Sequence, residues 1–454
     1  MWIFFNKLNL IRKISGIRGL VDKTLNDKVV FDHALAFSQL KVKGPILVAR
    51  DTRSHGKHFS DIACKAISSA GLEVHNYGII PTPTAQFLVS KNNFSGAIVI
   101  TASHNPIEWN GMKFINSDGC FLNEKQNTKL FSKADNLQNL SKIQSGKISH
   151  IKDGFKDHIN HTVNLSFIDQ NRIKLKAFKV VVDAVNGAAS YAVPHLLHLL
   201  KCEVIPLFCN PDGKFPHDPE PKNENLGLLS KSVIKNNADL GIAIDPDGDR
   251  LAIVDENGEP LGEENTLVIA TDNFLSNGFK TTVVTNLSSS MALDNLAYKY
   301  SNPIKRSMVG EINVVEMMKE HNSSFGGEGN GGVILKESHL GRDAIVGIVM
   351  MLDWLSKKNT NLSLAKKDLP NYSIIKDKIN LDQINPDDAL QFLKKQFENE
   401  KIDLTDGLKI IWDNSWVHIR KSNTEPILRI YSEAKSESEA KNIIDQIKSN
   451  IKVF

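Results

Sequence analysis

Three aspartates occupy alternate positions in one short segment, Asp245, Asp247 and Asp249, between two apolar runs. Three carboxylates this close together repel one another unless a cation or strong hydrogen-bond donors offset their charge. A hard divalent ion with oxygen ligands is the natural partner, and magnesium suits phosphoryl chemistry because it keeps coordination positions open for phosphate oxygens. The segment therefore predicts a magnesium site.

A calcium-binding EF-hand is the alternative for this segment. Its first, third, fifth and twelfth ligand positions match Asp245, Asp247, Asp249 and Glu256. Its sixth position requires glycine for a sharp turn, however, and Arg250 stands there. The flanking runs are also typical of strands, whereas an EF-hand needs helices. A magnesium site on a turn between two strands is therefore the favoured interpretation of this segment.

Ser103 lies in the segment Thr-Ala-Ser-His-Asn-Pro, directly after an apolar run that is predicted to be a strand. This places the serine on a tight turn at a strand end, where ligands bind in open α/β sheets. A serine becomes a nucleophile only in an activating context. An unreactive serine in a polar turn is the alternative.

A glycine-rich run, 326–332, carries Glu328 and Asn330 and is predicted to be a loop. It lacks the Lys-Ser or Lys-Thr that follows a phosphate-binding P-loop. Its carboxylate is expected instead to accept hydrogen bonds from sugar hydroxyls. A flexible turn without a ligand is the alternative.

A basic and hydroxyl-rich segment near the C-terminus could hold a phosphate monoester, because arginine forks, hydroxyls and turn amides together bind such anions. Its candidate residues are Arg420, Ser422, Asn423, Thr424 and, in the next strand, Arg429. A solvated basic hairpin is the alternative. Two earlier clusters, 15–19 and 50–53, add guanidinium groups, with surface charge as their alternative.

The elements that must position these residues follow an α/β pattern over the first 360 residues or so, in which short Val- and Ile-rich runs alternate with amphipathic stretches. The predicted strands are 45–51, 96–101, 180–183, 240–245, 251–255 and 281–285, and the predicted helices are 60–70, 188–200, 263–275, 311–320 and 342–356. Weak recurrence at intervals of roughly 100 residues suggests three related modules with mixed, largely parallel sheets. The polar stretch 359–370 is predicted to be a linker.

The last part of the chain is predicted to be a small α+β domain, with strands at 372–379, 408–412, 417–420 and 427–431 and helices at 387–400 and 437–451. The predicted domains are 1–150 with the serine turn, 151–257 with the aspartates, 258–365 with the glycine-rich run, and 366–454 with the basic segment.

The composition of the 454 residues excludes some classes of function. A formal net charge of +3 gives no large field for nucleic acid or an anionic membrane. The four cysteines match no zinc or redox motif, and the apolar start of the chain is too short to cross a bilayer or serve as a signal core. A cytoplasmic protein without nucleic-acid or membrane partners is expected.

The four segments, in this order and spaced over the chain from about Arg12 onward, resemble the α-D-phosphohexomutase superfamily, which includes phosphoglucomutases, phosphomannomutases and phosphoglucosamine mutases. The resemblance implies four domains around a central cleft. It also implies that Ser103 carries a phosphoryl group between two positions of one sugar, by way of a bisphosphorylated intermediate that also serves as activator. A monomer or homodimer is expected.

The resemblance assigns roles residue by residue. Asp245, Asp247, Asp249 and an oxygen on phosphorylated Ser103 would bind magnesium. The groups near the transferring phosphate would be Arg18, His104, Lys113 and Arg250, with Lys113 as general acid or base. The sugar would contact Gly310, Glu311, Glu328 and Asn330, and the distal phosphate Arg420, Ser422, Asn423, Thr424 and Arg429.

One departure is informative: many members carry a histidine where this chain has Gly332, and His339 or Arg342 is the candidate to replace it. The segments 15–19, 327–332 and 339–343 look most like the phosphoglucosamine mutases of archaea and some bacteria, so glucosamine phosphate is favoured over glucose or mannose phosphate. A magnesium-dependent phosphatase and a non-catalytic phosphosugar-binding protein are the functional alternatives.

Overall fold

The computed structural model of the chain describes residues 10–41, 44–137, 145–380, 385–421 and 427–453. The chain forms two compact units. The first unit comprises Met1–Asn273 and Asn330–Ala365, and the second Phe274–Gly329 and Lys366–Phe454. A search of the described helices finds none with the length and apolar character that crossing a membrane requires.

Strands and helices alternate over most of the chain. The strands are β1 (Ile11–Lys13), β2 (Gly16–Leu20), β3 (Ile46–Arg50), β4 (Val74–Ile79), β5 (Gly96–Ile100), β6 (Trp109–Asn116), β7 (Ile148–His150), β8 (Lys179–Asp183), β9 (Glu203–Phe208), β10 (Leu240–Ile244), β11 (Leu251–Asp255), β12 (Val283–Asn286), β13 (Ile304–Ser307), β14 (Phe325–Glu328), β15 (Gly332–Leu335), β16 (Ser373–Asn380), β17 (Lys401–Asp403), β18 (Leu408–Ile411), β19 (Trp416–Lys421) and β20 (Ile427–Ala434).

The helices are α1 (Asp27–Gln39), α2 (Gly56–Ser69), α3 (Thr82–Lys91), α4 (Glu124–Asp135), α5 (Phe155–Val163), α6 (Gln170–Lys176), α7 (Ala189–Leu199), α8 (Gly227–Asn236), α9 (Glu263–Ser276), α10 (Ala292–Lys299), α11 (Glu311–Glu320), α12 (Ala344–Lys357), α13 (Leu362–Ala365), α14 (Pro386–Gln396) and α15 (Glu437–Val453). Two short 3₁₀ helices lie at Asn223–Asn225 and Lys366–Asp368.

The first unit begins with a seven-stranded sheet in the order β1-β2-β6-β5-β3-β4-β7. Strand β3 pairs in parallel with β4 and β5, whereas β6 pairs antiparallel with β5 and β2. Helices α1 and α2 contribute Phe37 and Phe59 to the same hydrophobic core as Ile98 and Phe114 of the sheet. Strand β5, at the centre of the sheet, is buried along its whole length, which explains why it contains no polar side chain.

A second sheet of the first unit has the order β11-β10-β8-β9. Strands β8, β9 and β10 are parallel, and β10 and β11 form an antiparallel pair from Leu240↔Asp255 to Ile244↔Leu251. The aspartate segment is the turn between β10 and β11. Strand flanks are inconsistent with an EF-hand, which confirms the preference for a turn of another kind.

The second unit contains parallel strands β13, β12 and β14 and a five-stranded antiparallel sheet in the order β16-β20-β19-β18-β17. Helices α14 and α15 cover one face of the antiparallel sheet, with Leu393, Ile444 and Ile447 in its core. The apolar residues of α15 recur at helical spacing, which is why this helix was predictable.

The predicted α/β class with mixed sheets and a C-terminal α+β region is confirmed. Two local predictions are wrong. The run 326–332 is not one loop, because Gly326, Gly327 and Glu328 end β14 and Gly332 begins β15. The predicted linker 359–370 contains α13 and a 3₁₀ turn, whose Leu362, Ala365 and Leu369 are buried.

Candidate active site

Ser103 lies on a tight turn after β5, and its backbone has a φ of 52°, which is unusual for a residue with a side chain. The Ser103 N–H donates to Oγ1 of Thr101 (2.9 Å), whose hydroxyl donates to Oδ2 of Asp51 (2.6 Å). Only 2% of Ser103 is exposed. An uncommon backbone conformation held by local hydrogen bonds is typical of functional turns.

The side chain of Arg53 donates hydrogen bonds to several main-chain oxygens of this turn. Its guanidinium donates to the main-chain oxygens of Ser103 (2.7 Å), Asn105 (2.6 Å), Pro106 (2.6 Å) and Trp109 (2.9 Å). Its Nε also pairs with Asp51 (3.1 Å), and both side chains are fully buried. The alternative that the 50–53 cluster is only surface charge is therefore wrong for Arg53.

The aspartate turn faces the serine. Oδ1 of Asp245 accepts hydrogen bonds from three successive main-chain N–H groups, those of Gly248, Asp249 and Arg250, at 3.0–3.1 Å. Its Oδ2 accepts a hydrogen bond from Oγ of Ser103 at 3.2 Å. Asp245 is thus fixed by the backbone on one side and contacts the serine on the other.

Lys113, on β6, bridges the other two aspartates. Its Nζ lies 2.6 Å from Oδ2 of Asp247 and 3.2 Å from Oδ2 of Asp249. Oδ2 of Asp247 also accepts from the hydroxyl of Thr82 (2.7 Å), and Oδ2 of Asp249 accepts from Nη2 of Arg342 (2.8 Å). Both Oδ2 atoms are therefore held by the protein.

The opposite oxygens, Oδ1 of Asp247 and of Asp249, are buried and have no hydrogen-bond partner in the part of the chain that the structure describes. One ligand oxygen from each of the three aspartates lies within 4.8 Å of the others. Buried carboxylate oxygens left without donors are what a divalent cation requires. The three carboxylates can hold such an ion.

Charge in this cluster is unevenly distributed. Burial raises the pKa of Asp245, and the negative charges of Asp249 and Asp247 raise it further. Burial also opposes ionisation of Asp247, but Lys113 holds the pKa of that carboxyl below its usual range. Burial lowers the pKa of Lys113, and Asp247 and Asp249 more than offset this, so its pKa is raised.

Three more predicted residues lie around Ser103. Nδ1 of His104 is 3.3 Å from Oγ of Ser103, and burial together with Arg250 and Arg18 lowers the His104 pKa well below its usual value. Nη1 of Arg18, on β2, donates to Oδ1 of Asn105 at 2.8 Å. Nη1 of Arg250 donates to Glu220 at 2.9 Å. The first unit thus gathers the predicted serine, histidine, lysine, aspartates and two arginines.

The second unit contains the residues predicted to bind the sugar and the distal phosphate, except Asn330, which belongs to the first unit. Oε1 of Glu328 accepts from Nδ2 of Asn286 (2.9 Å) and from the Gly310 N–H (2.8 Å). Glu311 is buried at the start of α11. A side-chain amide and a main-chain N–H therefore orient the carboxylate of Glu328, which is only 2% exposed.

Arg420 and Arg429 stand directly opposite each other on β19 and β20. Arg420 pairs through Nε with Asp406 (2.9 Å), and Arg429 is exposed. Ser422, Asn423 and Thr424, predicted to complete this cluster, lie outside the described residues.

Three residues were not predicted to contribute: Thr82 and Glu220 in the first unit, and Asn286 beside Glu328 in the second unit. Each comes from a segment with no chemical motif of its own. Asp51 and Arg53 belong to the cluster 50–53, which the sequence analysis noted only for its guanidinium groups.

An α/β fold that sets a buried serine against three aspartates, a lysine and arginines suits an enzyme of phosphoryl transfer, which needs positive groups and a cation around phosphate oxygens. Four models of the phosphoglucomutase/phosphomannomutase family match the chain: alpha/beta/alpha domains I, II and III at residues 9–141, 154–258 and 263–372, and the C-terminal domain at residues 379–449. The chain belongs to this family, and it is therefore a phosphohexomutase.

The similarity to known relatives extends over nearly the whole length of the chain. The chain is 34% identical over 443 residues to a phosphoglucomutase/phosphomannomutase of Thermococcus kodakarensis, covering 95% of this chain and 96% of that one. It is 30% identical over 437 residues to a probable phosphoglucosamine mutase of Methanopyrus kandleri, covering 95% of each. A crystal structure of a family protein from Burkholderia thailandensis matches with a TM-score of 0.87 and 25% identity, covering 99% of this chain and 97% of that one.

Proposed function

We propose that the enzyme interconverts a hexose 1-phosphate and the corresponding 6-phosphate through phosphorylated Ser103, with magnesium held by Asp245, Asp247 and Asp249. The supporting observation is the 3.2 Å contact between Oγ of Ser103 and Asp245, next to two buried aspartate oxygens without donors. A bound magnesium ion would offset charge on the phosphoryl oxygens.

Each transfer exchanges one P–O bond for another. A hydroxyl oxygen of the sugar phosphate attacks phosphorus, the bond from phosphorus to Oγ of Ser103 breaks, and a bisphosphorylated sugar forms. The hydroxyl proton passes to His104, whose lowered pKa keeps its ring neutral, and Lys113, whose raised pKa keeps it protonated, gives a proton to Oγ of Ser103 as the P–O bond breaks. In the reverse step, with the sugar turned end for end, Ser103 regains the other phosphoryl group.

Positive side chains would stabilise the charge that spreads over the transferring group. Arg18 donates to Asn105 of the serine turn, and Arg250 donates to Glu220, which lies 3.9 Å from Nε2 of His104. Their guanidinium groups suit the planar, two-pronged recognition of phosphate oxygens.

Sugar and distal phosphate would be bound by the remaining predicted residues. Glu328, Asn330, Gly310 and Glu311 would contact the sugar. Arg420, Ser422, Asn423, Thr424 and Arg429 would hold the phosphate that is not being transferred, so that either end of the sugar can be presented to Ser103.

Glucosamine phosphate is the favoured sugar, because the sequence resembles the phosphoglucosamine mutase branch and the Methanopyrus kandleri relative carries that name. Glucose and mannose phosphates are the alternative, supported by the name of the Thermococcus kodakarensis relative. Selectivity of this kind depends on a few hydrogen bonds to one hydroxyl or amine.

We further propose a cytoplasmic enzyme, monomeric or homodimeric, that acts on small phosphosugars and not on nucleic acid.

The proposal is tested by supplying glucosamine, N-acetylglucosamine, glucose and mannose 1-phosphates with magnesium and a trace of the matching bisphosphate, and measuring the 6-phosphate. Intact mass should show one added phosphoryl group after incubation with bisphosphate, absent from Ser103→Ala. Release of inorganic phosphate without the isomer would favour a phosphatase. A wild-type protein that is never phosphorylated would favour a binding protein.

A further inference from the structure

Arg342 occupies the space beside Gly332. A Cβ atom at Gly332 would lie 2.2 Å from Cδ and 2.7 Å from Cγ of Arg342. Carbon atoms that are not bonded to each other do not approach this closely in proteins. The φ of Gly332 is not in the left-handed region, so the backbone itself does not require glycine there. The side chain of Arg342 is therefore what excludes a larger residue at 332, and the histidine that many family members carry there would collide with it.

The guanidinium of Arg342 reaches the aspartate turn. Its Nη2 lies 2.8 Å from Oδ2 of Asp249, and only 8% of the residue is exposed. Because Lys113 contacts the same Oδ2 atom, the carboxylate is held from two sides. Oδ1 of Asp249 is the atom that remains without a hydrogen-bond partner among the described residues.

The backbone on both sides of Arg342 is anchored. On one side, a Cβ at Gly341 would meet the side chain of Gln86 at 2.4 Å, which shows how closely the two segments approach. On the other side, Oδ1 of Asp343 caps α12 by accepting from the N–H groups of Ile345 and Val346. The two residues that flank Arg342 are thus held by packing on one side and by a helix cap on the other.

His339, the other candidate to replace the missing histidine, is engaged elsewhere. Its Nε2 lies 3.1 Å from Oδ2 of Asp343, and Nε2 of His158 lies 2.9 Å from the same oxygen. Both rings are fully buried. This cluster supports the turn that carries Arg342 and leaves Arg342, not His339, as the residue beside Gly332.

We infer that Arg342 is a positioning residue of the metal site and that Gly332 provides the room it needs. Arg342 holds Oδ2 of Asp249 toward the protein, so that Oδ1 is presented to the cation. The inference rests on the proposed function, because it adds a residue to the same site.

The test is a titration of each variant with Mn²⁺, followed by electron paramagnetic resonance without any substrate. Loss of a residue that orients a metal-binding carboxylate weakens metal binding by about 10- to 100-fold. Arg342→Ala and Gly332→Ala should each show a loss of this size, and Arg342→Lys should recover part of it. The double variant should bind no more weakly than Arg342→Ala, because both changes remove the same contact.

Arg172→Met is the matched control, since it breaks a comparable ion pair with buried Asp353 (2.9 Å) in the same unit and should leave Mn²⁺ affinity unchanged. Mn²⁺ binding by Arg342→Ala that equals or exceeds wild type, or additive losses in the double variant, would overturn the inference. If Gly332→Ala does not fold, the Arg342→Ala and Arg342→Lys pair decides alone. A wild-type protein that binds no Mn²⁺ and gains no phosphoryl mass would instead refute the proposed function.

Discussion

The buried guanidinium of Arg53 donates a hydrogen bond of 2.7 Å to the main-chain oxygen of Ser103. The same guanidinium serves three other carbonyls of the turn and is itself paired with Asp51. One arginine therefore serves four main-chain oxygens of a turn whose serine has a positive φ. A side chain 50 residues earlier in the chain thus helps to hold this turn, together with the hydrogen bond from the Ser103 N–H to Thr101.

Replacing Arg53 with Met should lower the free energy of unfolding by about 3–5 kcal/mol, because it leaves Asp51 as an unpaired buried charge. Urea unfolding followed by circular dichroism measures this loss. Phosphorylation of Ser103 by a hexose bisphosphate should fall at the same time, even where the variant is still folded. Arg12→Met, which removes a partly exposed pair with Asp135, is the control and should change stability by less than about 1 kcal/mol. Equal effects of the two changes would contradict this role for Arg53.

The sequence predicts the residues that react or bind the metal better than it predicts the residues that hold them in place. Asp245, Asp247 and Asp249 were predictable because their spacing is itself the signal, and the short apolar strands β10 and β11 flank them. Arg53 was noted only as a guanidinium of the cluster 50–53, and its role could not be predicted because its partners are main-chain carbonyls that any sequence supplies.

The glycine-rich run shows a second limit. Its glycines suggested a loop, yet Gly332 begins a strand and is glycine because Arg342 lies against it. A close approach between two segments favours glycine, as a flexible turn also does, and only the tertiary structure shows which of the two causes applies.

Lys113→Met should reduce kcat by about 10²- to 10⁴-fold, the usual contribution of a residue that transfers a proton. Mn²⁺ binding should weaken as well, because Lys113 shares Oδ2 of Asp249 with Arg342 and also holds Oδ2 of Asp247. Steady-state kinetics and a Mn²⁺ titration on the same preparation separate these two expectations. A large loss of metal affinity with an unchanged kcat would show that Lys113 only orients the carboxylates.

Asn286→Asp should raise KM for the sugar phosphate by about tenfold or more, with a smaller effect on kcat. The change keeps the oxygen that accepts from the Ser288 N–H (2.9 Å) but replaces the donor to Glu328 with a second carboxylate oxygen. Loss of one hydrogen bond to a charged group costs about 1.5–3 kcal/mol. Asn295→Asp, at a residue whose amide oxygen accepts from Tyr372 on the surface, is the matched control. An unchanged KM in Asn286→Asp would argue against Glu328 as a sugar-binding residue.

His418 should make the protein less stable as the pH falls from neutral toward 4. Burial, together with the positive charges of Lys409 and Arg420, lowers the pKa of His418 to about 4. In the folded state its ring is neutral, lying 2.9 Å from Oγ of Ser288 and 2.6 Å from the main-chain oxygen of Asp406. An unfolded chain, with a histidine pKa of about 6.5, binds more protons than the fold between these two values, so stability is full above about pH 6.5 and declines below it.

The full loss for His418 is about 3 kcal/mol, since one pKa unit corresponds to about 1.4 kcal/mol. About 2 kcal/mol of this loss falls between pH 7.5 and pH 5, and urea unfolding of wild type and His418→Gln at these two pH values measures it. Glutamine keeps one donor and one acceptor but does not titrate in this range, so the variant should lose less stability than wild type when the pH is lowered. His58→Gln, at an exposed histidine paired with Asp27, should retain the wild-type pH dependence. The same decline in His418→Gln as in wild type would assign the pH dependence to other groups.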